Sequence, residues 1–353
     1  MKLNINNNWI KKFNSPFFIC GPCSVDKKKY FFNTIKKLYN YNIKIFRAGI
    51  WKPRTFPNLF EGIGEKGLKW IKYIKNKYKN IYFAVEVANK KHIKLCIKYN
   101  IDILWIGART TSNPFLMEKI SKILKNTKKI ILIKNTMHNE INLLFGAIQR
   151  LNLNNINNIG IIHRGCYNYN NNIDYRNFIE WNIYEKIKKF NSKIPIILDP
   201  SHIAGKKKYI YKIIKKSLIF NYQGYMIESH IKPSKALTDN LQQIKPKLIN
   251  KYINFILKNK LKYLKKNNKL KIQRLKIEEI DKKILLSIYN RNKISLKIKK
   301  IKNKNNIKIH QKERFKILLN KYKKLAKKFK LSVKYILKIF NIIHKISINI
   351  QNK

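Results

Sequence analysis

Beyond Gly224 this sequence contains no glycine and beyond Pro246 no proline, although eleven glycines and nine prolines occur up to those points. Those residues punctuate turns and break helices, so the remaining C-terminal stretch is restricted to long helices joined by polar links. Cysteine is nearly as thin. Cys20, Cys23, Cys96 and Cys166 form no disulfide framework for 353 residues, which excludes a small stapled scaffold. No run approaches the ~18 uncharged apolar residues of a membrane span. No basic, apolar and small-residue leader opens the sequence. A reducing cytoplasm is the expected compartment, with no membrane partner.

Arginine is also scarce: nine of 79 cationic side chains, in a chain with only 17 acids and a formal charge of +62. Such a charge ordinarily suggests nucleic acid, because clustered cations neutralise phosphates and release counterions. Here lysine recurs in every segment, as on the solvent faces of 68–78, 119–129 and 206–216. Lys, Asn and Ile are over-used together, a sequence-wide bias that gives non-specific affinity at low salt rather than a specific nucleic-acid partner. The basic stretches also carry few aromatics for stacking on bases. With lysine the default cation, each arginine marks a place where a planar fork is required. Arg47, Arg54, Arg109, Arg164, Arg274, Arg291 and Arg314 fall in the motifs below, leaving Arg150 and Arg176 as ordinary surface residues.

What is present, at 44% apolar content, is ample for a core. Short β-type apolar runs alternate with amphipathic helix-length segments: 17–20, 43–46, 81–87, 103–106, 130–133, 159–162, 194–198 and 224–227. Eight such units over about 250 residues predict a (β/α)8 TIM barrel. Each run delivers a reactive or charged side chain at or just after its C-terminal end: Cys23, Arg47, Glu86, Arg109, Lys134, Arg164, His202 and Glu228. That is the end of a barrel where active sites lie.

These side chains sort into two sets. Arg47, Lys52, Arg109, Lys134 and Arg164 suit a substrate carrying both phosphate and carboxylate. Cys23, His202, Glu228 and Asp239 form a mixed S, N and O set suited to a borderline divalent metal. The loop Arg47 to Pro57 holds three cations within eight residues, braced by two prolines. Cys20-Gly21-Pro22-Cys23 spells a thioredoxin-type redox motif, but that reading explains two cysteines and nothing else; Cys20 is expected to point from a strand into packing.

In chain order, Gly21-Pro22-Cys23-Ser24, Lys52-Pro53-Arg54-Thr55, Gly107-Ala108-Arg109, Ile133-Lys134-Asn135, His163-Arg164-Gly165, Asp199-Pro200-Ser201-His202, Glu228-Ser229-His230 and Ala236-Leu237-Thr238-Asp239 resemble the type I 3-deoxy-D-arabino-heptulosonate 7-phosphate (DAHP) synthases. The likeness is closest to the compact β subgroup. It implies condensation of phosphoenolpyruvate with erythrose 4-phosphate, the first step of the shikimate pathway. It implies one divalent metal ion (Mn, Fe, Co or Zn) on Cys23, His202, Glu228 and Asp239. It implies a phosphoenolpyruvate cradle of Arg47, Lys52, Arg109, Lys134 and Arg164 with Glu86 nearby, and Arg54 and Thr55 at the aldose phosphate. Lys52, Cys23 and His202 are the expected catalytic residues, Lys52 as proton carrier.

In the C-terminal stretch apolar residues recur at helical spacing, from Ile277, Ile280, Ile284 and Ile288 to Val333, Ile336, Leu337, Phe340 and Ile343. Polar residues interrupt the stripes. Arg291 and Lys302, eleven apart, lie within about 20° on one helix face, and Ser347 and Gln351 continue the last stripe. Buried polar groups need partners, so these surround something polar. Arg274 lies about 260° round from Arg291 and can serve only another pocket, such as that of a second chain. The pattern resembles the all-helical chorismate mutases over about residues 270–353, with Ile280-Asp281-Lys282-Lys283 as an early helix signature. It implies a chorismate site of Arg274, Arg291, Lys302, Gln311, Arg314, Ser347 and Gln351 in an intertwined homodimer or higher oligomer. Two departures stand out: Phe315 where many members have Glu, and Gln311 where Asp is common. The expected domains are a synthase barrel at 1–250, a helical linker at 251–268 and a mutase domain at 269–353. The alternatives are a helical domain that serves only dimerisation or feedback control, and a basic nucleic-acid-binding protein.

Overall fold

All eight apolar runs become parallel strands, because each is a short apolar run with β-branched or aromatic residues, bounded by turn-forming or polar segments. The computed structural model describes residues 3–167, 175–264 and 269–352. Its barrel strands are β1 (Phe17–Gly21), β2 (Ile45–Ala48), β3 (Tyr82–Val87), β4 (Ile103–Ile106), β5 (Ile130–Lys134), β6 (Ile159–His163), β9 (Ile196–Leu198) and β10 (Gly224–Glu228). They close in the order β1-β10-β9-β6-β5-β4-β3-β2. A small antiparallel pair, β7 (Cys166–Tyr167) and β8 (Asn177–Phe178), stands apart from the barrel.

The helices around it are α1 (Lys28–Asn40), α2 (Glu65–Lys77), α3 (Lys90–Lys98), α4 (Ala108–Thr111), α5 (Pro114–Ile123), α6 (Ile141–Leu153), α7 (Asn182–Phe190), α8 (Pro200–Ala204), α9 (Lys207–Ser217) and α10 (Pro246–Leu264). Strand residues alternate between two cores. Ile19, Ile45, Ala84, Trp105, Leu132, Ile162, Ile197 and Met226 fill the barrel interior. Cys20, Phe46, Val85, Ile133 and Ile161 face the helices, so Cys20 packs as expected. Trp9, from a 3-10 turn, meets Phe17 at the start of β1 edge-on at 5.8 Å. That contact closes the N-terminal end and leaves the opposite end for chemistry.

The chain divides into two compact units, Met1–Lys276 and Ile277–Lys353. α10 runs through the first part of the segment read as a linker and buries Ile249, Tyr252, Ile253 and Ile256 in the outer core. That stripe is blurred in the sequence by apolar residues off it, Phe255, Leu257 and Leu261. Residues 265–268 of the expected linker lie outside the described residues. The second unit comprises the C-terminal part of α11 (Lys269–Lys304) with α12 (Lys312–Lys328) and α13 (Val333–Asn352), as the absence of glycine and proline requires. Tyr322 stacks on Phe340 at 3.9 Å between α12 and α13, while Ile284, Leu285 and Ile342 are exposed. Among the described residues no helix is long and apolar enough to cross a membrane.

Candidate active site

At the C-terminal ends of the strands opens a cleft of about 380 Å³. Six cations, Lys52, Arg54, Arg109, Lys134, Arg164 and Arg176, line it against Glu86 and Asp239. Lys134 ends β5 and Arg164 follows β6. Burial lowers the pKa of both, Arg164 to about 10, which leaves Arg164 charged at neutral pH. Arg109 donates to Pro53 O at 2.6 Å and Thr55 Oγ1 at 2.7 Å, tying the β4 end to the 53–55 loop. Beside it, a Cβ at Gly107 would come within 2.2 Å of Glu86 Oε1, so a larger residue there would displace that carboxylate.

Below the cleft, Cys23, Glu228 and Asp239 bring donor atoms within 4.8 Å of one another. Cys23 Sγ is 3.1 Å from Asp239 Oδ2 and 3.2 Å from Lys52 Nζ. His202 joins through Glu228, its Nε2 3.6 Å from Glu228 Oε1, while its Nδ1 is 2.7 Å from Asp199 Oδ2. Asp199 caps α8 by accepting from the His202 backbone N–H at 3.0 Å. One buried carboxylate thus fixes both the helix start and the imidazole, leaving Nε2 towards the cluster. The residues fit a divalent cation. Glu228 Oε1 is buried with no hydrogen bond aligned to it. Burial and then the Glu228 charge push the Cys23 thiol up to about 12, so a cation is what would let it ionise among these acids. Asp239 adopts a left-handed backbone, φ +46°, which aspartate tolerates better than most residues.

The barrel residues singled out by the motifs therefore converge at one end. Arg47 lies deeper than the cleft wall. It is 1% exposed, 3.1 Å from Glu228 Oε1, and its guanidinium sits over the Trp105 ring. Arg176 is at the surface, as read from the sequence, with its side chain half exposed, but it lines the cleft and its Nη1 is 3.0 Å from Asp239 Oδ1. No signal in the local sequence identifies it, since the partner is 63 positions away. Arg150 lies away from the cleft and pairs with Glu118 at 3.5 Å between partly exposed side chains.

In the second unit, Arg291, Ser347 and Gln351 meet between α11 and α13. Arg291 Nη1 donates to Ile343 O at 3.1 Å and to Ser347 Oγ. Gln351 Nε2 donates to Ser347 O at 3.2 Å, and its Oε1 is buried without a partner. Lys302 Nζ donates to Ile309 O. Gln311 and Arg314 are exposed on the α12 side, and Arg274 is exposed on the part of α11 that belongs to the first unit. Phe315 stacks face to face on His344 at 3.7 Å, a pairing the sequence did not signal.

A family model for chorismate mutase type II matches residues 273–352. Phospho-2-dehydro-3-deoxyheptonate aldolase of Thermotoga maritima is 30% identical over 226 residues, 64% of this chain and 64% of its own length. A crystal structure of that DAHP synthase superimposes with a TM-score of 0.62 at 28% identity, covering 69% of this chain and 68% of the other. A 2-dehydro-3-deoxyphosphooctonate aldolase of Campylobacter jejuni is 24% identical over 63% of this chain and 88% of its own length. The barrel, the strand-end motifs and a match over residues 4–265 agree: the chain belongs to the DAHP synthetase I family.

Proposed function

We propose that the barrel condenses phosphoenolpyruvate with erythrose 4-phosphate to give DAHP and phosphate, and that the helical segment at 269–353 converts chorismate to prephenate. The observation that carries the first activity is the Cys23, Glu228 and Asp239 cluster at the base of a cleft with six cations. Arg109, Lys134 and Arg164 bind the phosphate and carboxylate of phosphoenolpyruvate, with Arg47 supporting Glu228 from beneath. Arg54 and Thr55 bind the aldose phosphate. Arg109, bonded to Thr55 Oγ1, links the two subsites and holds the reactants at bond-forming distance. A divalent ion (Mn, Fe, Co or Zn) on Cys23, His202, Glu228 and Asp239 supplies Lewis acidity for the aldehyde. C3 of phosphoenolpyruvate bonds to the aldehyde carbon, water adds at C2 and phosphate leaves. Lys52, 3.2 Å from Cys23 Sγ, carries the proton.

The second activity is supported by the convergence of half-buried Arg291 with buried Ser347 and Gln351. Arg274, Arg291 and Arg314 clamp carboxylates, while Lys302 and a glutamine, Gln311 or Gln351, donate to the ether oxygen as its bond breaks. Exposed Ile284, Leu285 and Ile342 support a homodimer in which Arg274 serves the partner's pocket. Cys20, Cys23, Cys96 and Cys166 are all buried, which suits a reducing cytoplasm.

Both activities are tested on the full chain. DAHP formation is expected with added Mn²⁺, to vanish with excess EDTA, and to be abolished in Cys23→Ala; near-normal turnover in that variant would remove the site assignment. Chorismate turnover is expected to fall about 10²- to 10³-fold in Lys302→Ala with the synthase rate intact. No rate above solution in the parent chain would leave the helices a dimerisation or feedback module.

A further inference from the structure

The four residues assigned to the metal are contacted by two adjacent residue pairs that no motif singled out, Asp239 and Glu228 at their carboxylates and Cys23 and His202 at their backbones. Arg176 Nη1 donates to Asp239 Oδ1 at 3.0 Å and to Gln242 Oε1 at 3.2 Å. The Gln242 amide passes the contact on, its Nε2 donating to Glu228 Oε2 at 2.7 Å. Gln243 Oε1 accepts from the Cys23 backbone N–H at 3.1 Å, and its Nε2 donates to Thr238 O, just before Asp239, at 2.8 Å. Asn177 Nδ2 donates to His202 O at 2.6 Å. Gln242 and Gln243 are buried to 1% and 0% exposure, a cost for two amides that only saturated hydrogen bonding offsets.

Arg176 is seated rather than draped. Gly205, at φ +67°, ends α8, and a Cβ there would lie 2.5 Å from Arg176 Cβ. The Arg176 backbone N–H also donates to Ala204 O at 3.3 Å. The arginine stem is therefore locked to the helix that carries His202, and its fork is locked to the loop that carries Asp239. Both contacts come from Nη1, whose two N–H groups reach a carboxylate and an amide oxygen together.

We infer that Arg176 and Gln242 are positioning residues for the metal site, setting the separation of Asp239, Glu228 and His202 before any ion binds. This rests on the metal-dependent synthase reading. Residues that orient metal ligands from behind usually cost about 10- to 100-fold in metal affinity when removed.

The test is direct Co²⁺ titration of the EDTA-stripped full chain, followed through the near-ultraviolet thiolate-to-cobalt band, with KM measured separately for each substrate. Wild type shows the band and Cys23→Ala lacks it; no band in wild type would defeat the metal reading itself. Given the band, Arg176→Ala and Gln242→Leu are each expected to weaken Co²⁺ about 10- to 100-fold, with the band altered in shape. Arg176→Lys, which keeps the stem against Gly205, is expected to fall between wild type and Arg176→Ala, and it decides the matter if Arg176→Ala does not fold. Wild-type Co²⁺ affinity in Arg176→Lys and Gln242→Leu would overturn the proposal. So would an Arg176 variant that raises only the KM for erythrose 4-phosphate, which would make Arg176 a substrate ligand.

Discussion

Arg47 Nη2 and Glu228 Oε1 lie 3.1 Å apart across the barrel, both side chains all but inaccessible to water. Burial raises the pKa of the Glu228 carboxyl, but His202 and Arg47 outweigh it and hold the group below its ordinary value. An ion pair this deep adds little net stability over apolar packing, yet breaking it strands a buried charge. Arg47→Met is expected to lower unfolding stability by about 3–5 kcal/mol, read from urea denaturation of metal-free protein. A loss below about 1 kcal/mol, the range of exposed pairs, would mean that Glu228 finds another partner.

His163 gives the protein an acid sensitivity of its own. Its Nδ1 meets Tyr222 OH at 2.8 Å and its Nε2 meets Ile179 O at 2.6 Å, and burial lowers its pKa to about 4. The unfolded chain takes up this proton first, near pH 6.5. The stability His163 contributes is therefore complete above that pH and is lost as pH falls towards 4, at about 1.4 kcal/mol per pH unit. His163→Gln is expected to flatten the stability profile between pH 6 and 4.5 by about one proton. An unchanged slope would mean the imidazole is not buried neutral.

The Lys52 to Thr55 loop divides its work between the two reactants. Lys52 touches Cys23, whereas Arg54 has a shielded Nε without a partner and lines the cleft beyond it. Lys52→Ala is expected to lower kcat by about 10²-fold or more, the scale of a lost general acid or base. Arg54→Ala is expected mainly to raise KM for erythrose 4-phosphate. Steady-state kinetics with each substrate varied in turn separates the two, and equal effects on both substrates from both variants would show that the division is wrong.

Much of this was legible because it is written in local chemistry. Apolar runs of strand length, each with Cys23, Arg47, Glu86, Arg109, Lys134, Arg164, His202 or Glu228 at or just after its end, announce a barrel and its active end. Arg291 and Lys302 share a helix face by arithmetic alone, and α11 runs unbroken through both. α10 was harder to read, because exposed Leu257 and Leu261 and buried Lys260 blur the Ile249, Tyr252 and Ile256 stripe. Phe315 against His344 joins positions on α12 and α13, a match no spacing rule reaches.

The sequence by itself determined the element types, their order and the side chains delivered to the strand ends, since hydrophobic period and turn residues act within a few positions. Only the tertiary structure decided which of those side chains stand in the cleft and which lie beneath it. It placed Arg47 under Glu228, and it brought Arg176 and the Gln242-Gln243 pair behind the cluster. The physical reason is distance along the chain: barrel closure sets β1 beside β10, and contacts between residues 63 or 220 positions apart leave no periodic trace in either segment.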